Sequence, residues 1–296
     1  MSFATAIAFE PAAIWIGTRE GILVRLADES AWGMRAYTSG PISALAVSSD
    51  GASLLVAGPA GAVSILKTAD GSLIDSLACA GPVLQGSIVA PRTYVTVDNE
   101  RRGLLWSANG DGPIGSTPIC EDGTTAVRFD RFGGGEAQLT LLTAIDWMIW
   151  DRATNSVVSE HHPIDGMRLA YLDGLFGLSA SGGHYFIHWD DYLVITTGTE
   201  DIAFEGSIVH RARCAALCDD ARRLAVGTRD GELVVIEDGQ TQTMALQPST
   251  HAIRAVVWQA DGARIGWIDA QGCFGVVDAK TGAEVVDRAR GVELLG

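Results

Sequence analysis

The chain has 296 residues, 47% of them hydrophobic, and a formal charge of −15 from 36 acidic against 21 basic residues. That balance excludes a general nucleic-acid binder, which needs clustered positive charge to neutralise phosphates. No apolar run reaches the roughly 20 residues of a membrane helix, and residues 1–17 lack the basic flank of a signal peptide, so they read as first strands and no membrane insertion is expected.

In chain order, the sequence repeats itself at a period near forty residues. The clearest copies are residues 42–66, 214–236 and 253–277. Each reads as apolar strand, turn, apolar strand, Gly-containing turn, apolar strand. The last apolar residue of each first strand falls at Phe9, Val47, Ile88, Phe129, Tyr171, Leu217 and Trp258. The third strands end at Leu26, Leu66, Trp106, Trp150, Trp189, Ile236 and Val277. Both rulers give seven units, and both place their longest step between the fifth and sixth. An insertion is therefore expected between Asp190 and His210, with residues 192–204 as its body. A fixed period of this length means stacked units, because one unit cannot bury its own faces.

The segments have strand character. They are short, rich in Val, Ile, Leu and Trp, and bounded by Gly and Asp. Runs such as Leu233 to Ile236 are apolar throughout, which predicts burial on both faces. Asp50-Gly51, Asp230-Gly231 and Asp261-Gly262 supply the positive-φ positions of tight turns. No window has a sustained helical period. The expected fold is all-β: a seven-bladed β-propeller of four-stranded antiparallel blades. It forms one domain over residues 1–296, with blades near 2–40, 41–80, 81–122, 123–164, 165–209, 210–250 and 251–296. The C-terminal residues 291–296 are expected to extend the last blade or to pair with the start of the chain.

Trp150-Asp151 and Trp189-Asp190 match the dipeptide that closes the third strand in WD40 repeats, with Val277-Asp278 and Ile236-Glu237 as weaker versions. Together with the turns at Asp50-Gly51 and Asp261-Gly262, they make the chain resemble a WD40-repeat protein over nearly its whole length. It departs from the pattern in lacking Gly-His pairs at the unit starts, in Ser107 following Trp106, and in having no Trp-Asp pair in its first two units. The resemblance implies a scaffold that binds a protein or peptide through a propeller face, alone or within a multi-protein complex.

Few residues suggest chemistry. Gly110, Gly112 and Gly115 match a dinucleotide fingerprint but have no following helix to supply free N–H groups, so a loop is expected and no cofactor. His184 and His188 would stand about 13 Å apart on a strand, too far for one metal ion. Five cysteines, odd in number and dispersed, read as reduced thiols in a cytoplasmic protein. Trp15 and Trp32 are the tryptophans expected to be partly exposed.

In such a fold, loops between units share an end with the turns between second and third strands. That end would hold Arg19, Arg101, Arg102, His162, His184, Arg211, Arg229 and His251, a local basic enrichment suited to an acidic partner. Loops are polar in general, and Asp98, Glu100, Asp230 and Asp269 share the end, so composition alone also accounts for it. A second reading is a hydrolase or lactonase with carboxylates converging at the opposite mouth; Glu10, Asp130, Asp173 and Gln259 are its candidates. A third is a subunit of an obligate assembly, with the 192–204 segment as its contact.

Overall fold

The computed structural model describes residues 3–27, 30–35, 40–98, 103–107, 115–116, 131–134, 138–142, 147–151, 156–161, 176–178, 185–189, 192–196, 201–205, 207–220, 222–238 and 241–286. Its strands follow the chain in seven meanders. β1 (Ala4–Glu10), β2 (Ala13–Thr18), β3 (Ile22–Ala27) and β4 (Ser30–Arg35) form the first sheet. β5 (Ala44–Val47), β6 (Ser53–Ala57), β7 (Ala62–Lys67) and β8 (Leu73–Ala78) form the second. The third holds β9 (Val83–Ala90), β10 (Thr93–Asp98), β11 (Gly103–Ser107) and β12 (Gly115–Ser116). The fourth holds β13 (Arg131–Gly134), β14 (Gln138–Leu142), β15 (Trp147–Asp151) and β16 (Ser156–His161).

β17 (Phe176–Leu178), β18 (Tyr185–Trp189), β19 (Tyr192–Thr196) and β20 (Asp201–Glu205) make the fifth. A single helical turn, α1 (Ser207–Arg211), then leads into the sixth sheet, β21 (Ala212–Leu217), β22 (Arg223–Thr228), β23 (Leu233–Glu237) and β24 (Thr241–Leu246). The last is β25 (Ile253–Trp258), β26 (Arg264–Asp269), β27 (Phe274–Asp278) and β28 (Glu284–Val286). Every pairing is antiparallel and each strand lies beside its sequence neighbour, so the result is an all-β arrangement of separate antiparallel sheets of the β-propeller kind.

The first strands meet from sheet to sheet: β1 with β5, β5 with β9, β21 with β25, and β25 with β1. They are therefore innermost, and the fourth strands lie outermost. The core is divided among the spaces between sheets. On β6, Leu54 and Val56 join Trp15, Leu23 and Ile42 toward the first sheet, while Leu55 and Ala57 join Tyr94 and Trp106 toward the third. On β23, Val234 and Ile236 pack one way, and Leu233 and Val235 pack with Ile265 and Trp267 the other. Successive side chains of a strand point to opposite faces. With a neighbouring sheet on each face, both sets must be apolar, which explains the unbroken apolar runs. The first and last sheets share a core as well, Ile7, Ile14 and Ile16 with Ile268, Phe274 and Val276. The Ala4 N–H donates to the Gly272 carbonyl across that seam, at 2.8 Å.

Close approach at these seams needs missing side chains. A Cβ on Gly17 would lie 2.5 Å from Ile42, and one on Gly227 would lie 2.6 Å from Ile253. In each case an isoleucine at or just before the start of the next sheet's first strand rests on the bare backbone.

Several expectations are corrected. The 192–204 segment is no insertion: it carries β19 and most of β20, which pair with each other. Trp189 consequently ends the second strand of its sheet, so Trp189-Asp190 does not hold the place of the third-strand dipeptide, whereas Trp150-Asp151 does end β15. The third strands begin at Ile22, Ala62, Gly103, Trp147, Tyr192, Leu233 and Phe274, and the longest step lies between the fourth and fifth sheets. An apolar, aromatic strand followed by Asp has the same pattern in second or third place, and only pairing separates the two. The rulers' Phe129 and Tyr171 lie outside the described residues; the first strands of those sheets are β13 and β17. Gly115 is not loop but the start of β12, and residues 110 and 112 lie outside the described residues. Trp15 is completely buried; of the Trp32 side chain nothing is described. His210 and Arg211 sit on α1 rather than on a loop. The 291–296 segment lies outside the described residues.

Candidate functional site

The end built from the turns between second and third strands is held by a repeated device. The last residue of the second strand is buried and caps the turn that follows. Thr18 Oγ1 accepts the Ile22 N–H at 3.0 Å, and Thr228 Oγ1 accepts the Glu232 N–H at 2.9 Å. Asp269 Oδ1 accepts the Gln271 and Cys273 N–H groups, both at 2.9 Å. Asp98 occupies the same place on β10 and is also buried. Thus Asp98 and Asp269, grouped by sequence with the exposed polar residues of this end, belong to its framework.

Directly after each cap, the chain is tied to the segment entering the first strand. The Arg19 N–H donates to the Phe3 carbonyl, the Arg229 N–H to the Arg211 carbonyl and the Ala270 N–H to the Ala252 carbonyl, each at 2.8 Å. Arg19 and Arg229 therefore hold equivalent turn positions, and both are exposed. The loop before β25 is fastened further: Ser249 Oγ donates to Asp269 Oδ2 at 2.7 Å and accepts the His251 N–H at 3.0 Å. His251 is half-buried, and its Nδ1 lies 3.2 Å from Thr250 Oγ1.

The structure thus brings Arg19, Arg211, Arg229 and His251 to one end. Arg211 is not available as a free cation there, since its guanidinium donates to Glu232 at 2.7 Å and lies 3.8 Å from Asp230. Arg101, Arg102, His162 and His184 lie outside the described residues. In the third sheet a second polar core supports the same end: Trp106 Nε1 donates to Thr96 Oγ1 at 2.8 Å, and Cys79 Sγ lies 3.8 Å from that hydroxyl.

Two functional candidates escaped the sequence reading. Arg213 on β21 and Arg254 on β25 sit at β-bulges, where the pairing jumps from Ala212 to Cys214 and from Ile253 to Ala255. Both are exposed, at the end of the innermost strands nearest the capped turns. Cys214 Sγ donates to the Ile253 carbonyl at 3.4 Å, so the residue after Arg213 touches the residue before Arg254. The signal was present in the repeat itself, because superposing the sixth and seventh units places Arg213 over Arg254.

The opposite-mouth candidates serve the framework where they are described. Glu10 is buried, its Oε2 accepts the Trp15 indole N–H at 2.9 Å, and its Oε1 accepts N–H groups of Arg25. Gln259 is buried and donates to the Pro11 carbonyl at 3.3 Å. Asp130 and Asp173 lie outside the described residues. Among the described residues there is no group of three or more His, Cys, Asp or Glu placed to hold a metal ion. Cys79, Cys214, Cys218 and Cys273 are free thiols.

No protein-family model matches the chain, and no curated protein matches it either. Among solved structures it is similar to the Cps50 (Swd1) beta-propeller domain of Myceliophteria thermophila, at 15% sequence identity and a TM-score of 0.72, over 92% of this chain and 94% of that one. At that identity the likeness speaks for the fold, and the fold it speaks for is the β-propeller.

Proposed function

We propose that this chain is a non-catalytic protein-interaction scaffold of WD40 type, a closed ring of seven four-stranded blades that holds a protein or peptide partner on its capped-turn end. The observation that carries the reading is the construction of that end. Buried Thr18, Thr228 and Asp269 lock the turns, and exposed Arg19 and Arg229 are displayed from equivalent positions. Binding surfaces of this kind place variable side chains on loops fixed by a rigid frame. Support for ring closure comes from the shared core and backbone hydrogen bond between the first and last sheets. The β-propeller likeness agrees with a platform, though the fold alone assigns no activity. Buried free thiols at Cys79, Cys218 and Cys273 are in keeping with a reducing, cytoplasmic setting.

The test is affinity capture from native lysate with the tagged chain and its R19E/R229E variant, followed by mass spectrometry. A stoichiometric partner held by the wild type and lost by the variant supports the reading. A partner held equally by both moves the site to another surface, and no partner at all sinks the platform.

A further inference from the structure

We infer that the innermost-strand rim of the sixth and seventh sheets receives an acidic peptide segment bearing an apolar side chain, with Arg213 and Arg254 taking its carboxylates and Phe3 receiving its apolar group. This deepens the platform reading and rests on it.

The inference begins with the bulges. A bulge leaves one residue unpaired and re-aims its side chain. The first strands of the first, third, sixth and seventh sheets each carry one near their start, at Thr5, Leu84, Arg213 and Arg254. All four residues are exposed although their strands are innermost. At Thr5 the hydroxyl turns into the seam and donates to the Gly17 and Ile42 carbonyls, whereas Leu84, Arg213 and Arg254 remain as exposed side chains at this rim, two of them guanidinium groups on adjacent sheets.

Charge comes next. Several arginines of the chain find carboxylates: Arg25 with Glu10, Arg211 with Glu232, Arg222 with Asp238, and Arg223 with Asp220. The guanidinium groups of Arg213 and Arg254 have no carboxylate or hydrogen-bond partner among the described residues, and neither do those of Arg19 and Arg229 at the neighbouring turns. In a chain with 36 acidic residues, four open arginines stand at one end with the exposed carboxylates of Glu20 and Asp230, so the excess of cations lies on the innermost rim, at Arg213 and Arg254. A cationic patch of this kind draws in anionic ligands and rejects cationic ones. Guanidinium groups pair with carboxylates in a forked geometry.

The apolar part has its own observation. Four large hydrophobic residues are exposed among the described ones: Phe3, Leu73, Leu84 and Val285. Leu73 and Val285 lie on the outermost strands β8 and β28. Phe3 and Leu84 lie at this rim, and Phe3 rests against Gly272 in the turn after β26, on the sheet that carries Arg254. An exposed aromatic ring at the same end as open guanidinium groups suits a segment that is acidic and partly apolar, and disfavours a purely polar polyanion.

The probe is a panel of fluorescein-labelled peptides rich in Asp and Glu with one Leu or Phe, alongside versions with Lys for the acids, Ala for the apolar residue, or phosphoserine for Glu. Fluorescence anisotropy is read against the wild type, R213E/R254E, F3A and R222E, the last altering an exposed arginine far from the rim. Expected is saturable binding of acidic–apolar peptides that weakens at least about tenfold in R213E/R254E, weakens with added salt and in F3A, and is unchanged in R222E. If the charge reversals lower the melting temperature, R213Q/R254Q and the salt dependence of the wild type give the same reading. Equal binding by R213E/R254E, equal binding of the Lys peptides, or no binding by the wild type overturns the inference. Binding of the phosphoserine versions alone overturns it in favour of a phosphopeptide. A native partner captured equally by wild type and R213E/R254E leaves the platform standing and removes this rim from it.

Discussion

Ser249 donates a 2.7 Å hydrogen bond to Asp269, and both residues are buried. The pair joins the loop entering the last sheet to the turn between β26 and β27. The same carboxylate accepts two backbone N–H groups of its own turn, so one side chain fixes both halves of the end that displays His251 and Arg254. Replacing Asp269 with Ala strips the acceptor from two donors on buried residues, Ser249 and Cys273, and one on the exposed Gln271. Unsatisfied donors of this kind cost about 1–3 kcal/mol each before relaxation, so D269A is expected to lose roughly 2–4 kcal/mol. Asp269→Asn keeps one oxygen acceptor and should lose less. Chemical denaturation of the two variants, compared by midpoint at constant slope, checks the order.

Buried Glu10 and half-buried Arg25 form an ion pair whose carboxylate also holds Trp15. Removing one member of such a pair leaves the other charge buried and alone. Arg25→Ala leaves the buried Glu10 carboxylate without its cation and is expected to destabilise by about 2–4 kcal/mol, below the range of a fully buried pair because Arg25 is half-buried. The double variant E10A/R25A should cost less than the sum of the single changes, because the second removal takes away a charge already without its partner. A double-mutant cycle from unfolding free energies measures the difference; strict additivity would show that the pair does not couple.

Gly231 and Gly282 both have positive φ, yet they predict different outcomes. A Cβ on Gly231 would lie 2.2 Å from the Ser249 carbonyl oxygen, which is backbone and cannot swing aside. On Gly282 the nearest atom is the flexible Leu246 Cδ2 at 3.2 Å. Gly282→Ala should cost about 1 kcal/mol from the left-handed conformation alone. Gly231→Ala should cost more than about 2 kcal/mol, with strain added to overpacking. Thermal melts of the two variants test the contrast.

Burial pushes the Cys214 thiol up to about 12 from its ordinary 9.0, and burial raises Cys79 and Cys218 as well. The thiolate is the reactive form. Native protein at pH 8 is therefore expected to leave these three residues unmodified by iodoacetamide, and denatured protein to alkylate them, as read by mass spectrometry of digests. The linked stability has a definite sign. The folded state holds the proton more tightly, so the contribution is full below pH 9 and is lost as pH rises through about 12. Cys214→Ser should flatten that alkaline fall.

Much of this architecture was legible in the residues. The forty-residue period, the Asp-Gly turns and the unbroken apolar runs led to seven strand units, and Gly51, Gly231 and Gly262 do take positive φ. The fifth unit was misframed because its second strand ends in Trp189 followed by Asp190, the pattern expected of a third strand. Of the candidate face, Arg19, Arg211, Arg229 and His251 reached one end as the repeat implied. Yet Arg211 is engaged by Glu232, and Asp98 and Asp269 turned inward as framework.

The sequence by itself determined the repeat, the strand character and the turn chemistry, because periodicity, propensity and glycine placement are local properties carried by neighbouring residues. The tertiary structure alone decided which polar groups are buried caps, which arginines keep a carboxylate, and that Arg213 and Arg254 stand at bulges on touching strands. Those outcomes depend on register and on contacts between sheets some forty residues apart in the chain, such as Cys214 with Ile253, and a one-residue shift in pairing would turn each of these side chains to the other face.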